Sequence, residues 1–133
     1  MLLDTNRLIQ HIRHESALPA DLLLSIVVVA ELEAFSLKSA WGSRRQIFLQ
    51  TMRSRFPIIE ITELLLPAYA QLDAYSQGKL KDIPLPPGMS ARNMGKNDLW
   101  LAATALYFDV ELHTADNDFD HLGPAGVRVI KPA

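Results

Sequence analysis

The amino-acid sequence predicts an α/β fold with a largely parallel central sheet of about five strands, flanked by helices on both faces. Short apolar runs alternate with stretches of helical periodicity from one end of the chain to the other. Such alternation is typical of parallel sheets that are covered on both sides. The 133 residues, 49% of them hydrophobic, suit one compact domain.

Five short apolar runs predict the strands. They span residues 1–3, 22–25, 56–61, 111–114 and 127–130. Only the third run contains a proline, and its three isoleucines still favour a strand.

Apolar residues at helical spacing predict five helices between these runs. Thr5 is a suitable N-cap for the first helix, and Gly78 is a suitable C-cap for the fourth. In the third helix, Ile47, Phe48 and Met52 are expected to face the core. Proline and glycine make residues 82–95 an irregular loop. The helices are predicted at the stripe of Leu8, Ile9 and Ile12, and over residues 28–39, 44–55, 62–78 and 97–108.

The composition excludes several classes of protein. Without cysteine the chain has no disulfide scaffold, no cysteine nucleophile and no thiolate zinc site. The formal net charge of -2 means that any polyanion must bind to a local basic patch. The chain starts without a basic leader, and its longest apolar stretch, residues 22–30, is shorter than the ~20 residues that span a bilayer. We therefore expect a soluble, cytoplasmic protein with no membrane contact.

Acidic side chains fall near the carboxyl edge of the predicted sheet, where parallel sheets bind ligands. Asp4 follows the first strand directly, and Asp116 and Asp118 follow the fourth. Glu31 lies in the helix after the second strand, and Asp98 begins an otherwise apolar helix. Each acid alone could simply cap a helix or stabilise its N-terminus. Capping does not require acids at the same edge in four separate elements, so we expect a shared site.

Carboxylates that converge at one edge repel each other. At an effective dielectric constant of ~20, two unit charges about 4 Å apart cost about 4 kcal/mol. Such a cluster must take up protons or bind a cation, and oxygen ligands favour a hard ion, Mg²⁺ or Mn²⁺. A divalent ion lowers the pKa of bound water and stabilises charge on a phosphoryl group, so the pattern indicates metal-assisted phosphodiester hydrolysis.

Four short motifs surround these acids. They are LLDTN at residues 2–6, SIVVVAEL at 25–32, NDLWLAA at 97–103 and TADNDF at 114–119. In this order and at these intervals they resemble the motifs of the PIN domain, and specifically of VapC-type ribonuclease toxins from toxin–antitoxin pairs. One such motif is weakly specific, whereas four in register are strongly specific. The resemblance implies a PIN domain over residues 1–133.

The resemblance also implies roles for individual residues. Asp4, Glu31, Asp98 and Asp116 match the catalytic acidic quartet of the family, which would bind one or two Mg²⁺ or Mn²⁺ ions and position the attacking water. The residues that match supporting positions are Thr5, Asn6, Ser25, Asn97 and Thr114.

Two further acids, Glu33 and Asp118, lie close to members of the quartet in the sequence. Glu31 and Glu33 both flank the same apolar stripe, so helical periodicity does not choose between them. The interval from Ser25 in the family motif selects Glu31 and leaves Glu33 as a solvated glutamate. Asp118 either assists the metal or only orients Asp116.

The leading interpretation is a metal-dependent endoribonuclease that acts as a toxin. By resemblance it cuts structured cellular RNA, forms a homodimer and is silenced by a cognate VapB-like antitoxin. Arg7, Arg92 and Lys96 are candidates for contact with the RNA backbone. Residues 34–59 hold five basic residues and no acid, and this run either binds phosphates or forms a solvated helix face.

Two other functions stay open. The first is a phosphatase or phosphoacceptor domain with Asp4 as nucleophile, although Asn6 stands where haloacid hydrolases have a second aspartate. The second is a non-catalytic PIN-like binding module. The histidines lack a metal-binding spacing and are expected at the surface; they are His11, His14, His113 and His121.

Overall fold

Five short parallel strands form the centre of the computed structural model, which describes all 133 residues. β1, β4 and β5 form one sheet, and β2 and β3 form another. A single parallel bridge between Leu2 and Leu23 joins the two sheets and gives the order β3-β2-β1-β4-β5. All pairings are parallel. The strands are β1 (Leu2–Leu3), β2 (Leu24–Ser25), β3 (Ile58–Ile59), β4 (Leu112–His113) and β5 (Val129–Ile130).

Five α-helices and three 3₁₀ turns connect the strands. The longest helices have 13 residues, and none combines the length and apolar character that crossing a lipid bilayer requires. The 3₁₀ turns span Glu63–Leu65, Asn117–Phe119 and Gly123–Ala125. The helices are α1 (Thr5–His14), α2 (Ile26–Lys38), α3 (Ser43–Arg55), α4 (Leu66–Ser76) and α5 (Lys96–Phe108).

The strand order reverses at β1. The chain adds β2 and β3 on one side of β1 and then returns to place β4 and β5 on the other side. Because crossovers between parallel strands are right-handed, this reversal puts α1, α2 and α3 against one face and α4 and α5 against the other. In the packing, α1 contacts α2 and α3, and α4 contacts α5, while α2 also contacts α5. The predicted α/β fold is confirmed, and the reversal is where such sheets bind ligands.

One continuous core of 28 buried residues supports these short strands. Each of the three inner strands contributes a leucine that is at most 1% exposed, namely Leu2, Leu24 and Leu112. In α5 the five consecutive residues 101–105 are all buried. A helix that is apolar on all sides must be enclosed, so α5 is a central element of the fold.

The boundaries of α2, α3 and α5 differ from the prediction by one or two residues, and the differences at α1 and α4 have an identifiable cause. Thr5 is the first residue of α1 and not its cap, because the Asp4 side chain accepts a hydrogen bond from the backbone N–H of Arg7 at 3.0 Å. The fourth predicted helix begins with a 3₁₀ turn that Thr62 caps, and α4 starts only at Leu66. Asp4 therefore has a structural role in addition to any chemical one.

Ile47, which is predicted to face the core, lies at the surface, and so does Ile61 of the predicted third strand. Ile47 is 64% exposed because α3 buries only Leu49 and Met52 fully. Ile61 lies beyond the end of β3 and is 40% exposed. In both cases the apolar residues of the sequence extend beyond the part of the element that is buried.

His121 is the reverse case, since it was expected at the surface and is fully buried. The Ser76 hydroxyl donates to the carbonyl oxygen of Arg92 at 2.9 Å, so it accepts its hydrogen bond from Nε2 of His121 at 2.8 Å. Burial, and then the charge of Arg92, lower the pKa of His121. A neutral imidazole therefore ties the end of α4 to the segment after the 3₁₀ turn at Asn117–Phe119.

We expect helix α2 to show the difference between core and surface leucines directly. Leu32 is fully buried, whereas Leu37 on the same helix is 79% exposed. Leu32→Ala should lower the free energy of unfolding by about 2–5 kcal/mol through lost burial and a residual cavity. The matched control Leu37→Ala should change it by less than about 0.5 kcal/mol. Urea unfolding measures both, and similar losses would contradict the described packing.

Candidate active site

One cleft of about 460 Å³ is lined by all four acids that the motifs identify. Asp4 follows β1, Glu31 lies on α2, Asp98 lies in the first turn of α5, and Asp116 follows β4. Thr5, Asn6 and Asn97 of the predicted supporting set also line this cleft, and so does Lys38. Side chains that are up to 112 positions apart in the sequence thus share one concave surface.

Asp4 and Thr114 connect the first and fourth motifs. Asp4 is 8% exposed and Thr114 is fully buried. The Thr114 hydroxyl donates to Oδ2 of Asp4, while the other carboxylate oxygen caps α1. The Thr114 oxygen also accepts from the backbone N–H of Asp116 at 2.9 Å. One threonine therefore fixes the first acid and the backbone of the fourth.

Two further residues with hydroxyl groups, Thr5 and Ser25, form hydrogen bonds with residues of α2. The Thr5 hydroxyl donates to Oε1 of Glu31 at 2.8 Å and orients that carboxylate from α1. Ser25 is buried and caps α2 by accepting from the backbone N–H of Val27 at 3.2 Å. Glu33, the alternative to Glu31, forms an ion pair with Arg53 at 2.8 Å and does not line the cleft.

Asp98 has the most perturbed environment of the acids. It is not a cap, because the N-cap of α5 is Gly95 and no side chain caps this helix. Burial and, to a smaller extent, the negative charges of neighbouring acids together raise the pKa of the Asp98 carboxyl from 3.8 to about 6. In order of decreasing effect, those neighbours are Asp116, Asp118, Glu31 and Asp4. A carboxyl in this position gains from a positive charge close by.

Three carboxylates form the tightest cluster. One oxygen each from Asp98, Asp116 and Asp118 lies within 4.8 Å of the other two. Asp116 caps the 3₁₀ turn by accepting from the backbone N–H of Asp118 at 2.9 Å, and Asp118 itself is exposed. An all-oxygen, strongly anionic donor set suits a hard divalent cation such as Mg²⁺ or Mn²⁺, so these residues fit the ion that the motifs imply.

The predicted RNA-contact residues lie in different settings. Lys96, the first residue of α5, is exposed beside Asp98 at the mouth of the site. Arg92 donates from Nη1 to the carbonyl oxygen of Asn117 at 3.1 Å, so it also contacts the acidic segment. Arg7 is half-buried on α1, with its Nε enclosed and without a protein partner.

The basic residues of the run 34–59 lie in two different environments. Arg44 and Arg53 form ion pairs with Glu15 and Glu33, as on an ordinary solvated helix face. Lys38 lines the acidic cleft.

Sequence reasoning did not select Lys131, although it contacts the segment that carries two of the acids. Its Nζ donates to the carbonyl oxygen of Asp116 at 3.0 Å. Its position directly after the last strand, at the same edge as the acids, is a signal that could have drawn attention to it.

Comparisons with known proteins agree with this architecture. The family model described as PIN domain matches residues 1–123. No curated protein sequence matches the chain. Solved structures with the same fold include VapBC2 from Rickettsia felis bound to a promoter DNA fragment, with 21% identity and a TM-score of 0.74 over 98% of this chain and 96% of that one.

Two further structures are similar at comparable levels. VapBC-5 from Mycobacterium tuberculosis, a toxin–antitoxin system, has 23% identity and a TM-score of 0.71 over 98% of this chain and 97% of that one. DNA-bound VapBC from Salmonella typhimurium has 17% identity and a TM-score of 0.73 over 98% and 96%. The motifs, the sheet order and the matching family model agree, and the chain belongs to the PIN domain family.

Proposed function

We propose that this protein is a metal-dependent endoribonuclease and the toxin of a toxin–antitoxin pair. The observation that carries the proposal is the convergence of Asp4, Glu31, Asp98 and Asp116 on one cleft from four separate segments. Stability alone does not require this convergence, because acids that repel each other destabilise a fold. A site that binds a cation and a phosphodiester does require it.

In the proposed mechanism the three clustered aspartates, Asp98, Asp116 and Asp118, would hold a divalent ion. When bound, the ion supplies positive charge for the developing negative charge on the phosphoryl group and lowers the pKa of water. Glu31 faces the cleft in an orientation that the Thr5 hydroxyl fixes, so it is placed to accept a proton from attacking water. Asp4, with both oxygens hydrogen-bonded, contributes charge and rigidity.

Membership of the PIN family supports RNA as the substrate, and the VapBC complexes that share the fold support an antitoxin as the partner. Lys38 and Lys96 lie at the acidic site, where they can contact phosphates that approach the metal. We further propose that the domain extends over residues 1–133, that it forms a homodimer and that it acts in the cytoplasm, where cellular RNA is available.

The geometry gives less support to the other two functions. As a nucleophile, Asp4 would need a free oxygen, but it is 8% exposed and its two oxygens accept from the Arg7 backbone and from Thr114. For a non-catalytic module the acids would be needed only as caps. Asp4 and Asp116 do act as caps, whereas Glu31 lies within α2 and Asp98 does not cap α5.

Asp98→Asn should abolish RNA cleavage while the fold survives. The change removes one negative metal ligand and keeps the shape of the side chain, so we expect a loss of about a hundredfold or more, roughly 3 kcal/mol of transition-state stabilisation. The measurement is cleavage of total cellular RNA by the purified protein with MgCl₂ or MnCl₂, with circular dichroism to confirm folding.

Asp82→Asn is the matched control, because Asp82 is an exposed loop residue outside the cleft. It should cleave at the rate of the parent protein, and EDTA should stop both. Cleavage by Asp98→Asn at the parent rate, or cleavage that persists in EDTA, would refute the proposal. Induction of both variants in cells, with mapping of the cut RNA, then identifies the substrate.

The raised pKa of Asp98 predicts a pH-dependent stability of the metal-free protein. Between the ordinary value of 3.8 and the folded value of about 6, the folded state holds a proton that the unfolded state has released. The free energy of unfolding should therefore fall as the pH rises through this window, and Asp98→Asn should lack this contribution. Urea unfolding in EDTA at about pH 5 and about pH 7.5 measures it, with Asp82→Asn as control.

Mn²⁺ should restore the stability that the metal-free protein loses as the pH rises. Because the ion binds the ionised carboxylates of the folded state, it should raise the unfolding midpoint of the parent more at about pH 7.5 than at about pH 5. Asp98→Asn should respond much less. If the difference between parent and Asp98→Asn were equal at both pH values without metal, the assigned environment of Asp98 would be wrong.

A further inference from the structure

A single ammonium group lies against the segment that carries Asp116 and Asp118. Besides the carbonyl oxygen of Asp116, Nζ of Lys131 contacts three other oxygens of this segment. They are the carbonyl oxygen of Ala115 at 3.3 Å, Oδ1 of Asn117 at 3.0 Å and, as an ion pair, Oδ1 of Asp120 at 2.8 Å.

These contacts leave the clustered carboxylates free. Lys131 binds the backbone oxygen of Asp116 and the side chain of Asp120, and it makes no ion pair with Asp98, Asp116 or Asp118. A lysine that only neutralised the acidic cluster would contact the carboxylates themselves. The ammonium instead satisfies oxygens of the segment that carries Asp116 and Asp118.

Lys131 is itself held in place by the sheet. It follows Ile130 of β5, whose carbonyl oxygen accepts a hydrogen bond from the backbone N–H of Thr114 at 3.0 Å. Thr114 is also the residue whose hydroxyl connects Asp4 to the backbone of Asp116. The last strand therefore delivers the ammonium to the point where the acidic segment leaves β4.

We propose that Lys131 is a positioning residue that holds Asp116 and Asp118 in the arrangement that binds the divalent ion. The inference rests on the metal-dependent site of the proposed function and adds to it a residue outside the four motifs. Two effects of Lys131 on metal affinity have opposite signs. Its positive charge alone disfavours a nearby cation, whereas its positioning of the aspartates favours that cation.

The test is a calorimetric titration of the EDTA-treated, dialysed protein with MnCl₂. Lys131→Met removes the charge and the donors while keeping most of the side-chain volume, and it should weaken Mn²⁺ binding about tenfold. Lys131→Arg keeps a charged donor and should stay within about threefold of the parent. Lys81→Met, at an exposed loop lysine away from the cleft, should bind like the parent.

Hydrogen exchange gives a second readout that needs no metal. Amides of residues 115–120 should exchange faster in Lys131→Met than in the parent, with no change in α5, because only the acidic segment loses its contacts. A thermal unfolding curve checks that the variant is folded, which the exposure of Lys131 favours.

The outcomes separate the two proposals. Mn²⁺ binding by Lys131→Met that equals or exceeds that of the parent overturns the positioning role, while the metal site itself stands. A parent protein that does not bind Mn²⁺ overturns the metal-dependent function and the positioning role with it. Weaker binding by Lys131→Met together with recovery in Lys131→Arg supports both.

Discussion

Mutual repulsion among carboxylates is the constraint on which the rest of this structure depends. The fold holds Asp4, Glu31, Asp98 and Asp116 in one cleft, where burial and the neighbouring acids raise the pKa of Asp98 to about 6. Such a cluster costs stability near neutral pH, so the rest of the molecule must compensate. The single core of 28 buried residues, with α5 enclosed at its centre, supplies that compensation.

The four acids form two groups, according to whether they also cap a helical turn. Asp4 and Asp116 each cap a helical turn, so their positions are fixed by backbone contacts. Glu31 and Asp98 cap nothing, and Asp98 shows the strongest perturbation. Acids with a structural role would be retained in any folded chain, whereas acids that only repel their neighbours indicate chemistry. The second group therefore carries more weight in the functional argument.

Much of the fold and of the site could be predicted because it follows from local patterns. Apolar runs locate the five strands, and the acids follow from the rule that ligands bind at the carboxyl edge of a parallel sheet. The errors arise where tertiary contacts decide. Ile47 belongs to an apolar stripe that α3 does not bury, and His121 is buried through contacts with Ser76, 45 positions earlier. Neither outcome is encoded in a short window of sequence.

The site is assembled by contacts that cross the whole chain. The segment between β4 and β5 has no regular structure beyond two 3₁₀ turns, so its shape comes from partners elsewhere. Asp4 accepts from Thr114 across 110 positions, and Arg92 donates to Asn117 across 25. Since β1 and the segment after β4 both contribute buried residues to the core, such as Leu2 and Phe119, the acids come together only when the core is folded. The acidic cluster therefore forms only in the complete domain, where an ion can offset its repulsion.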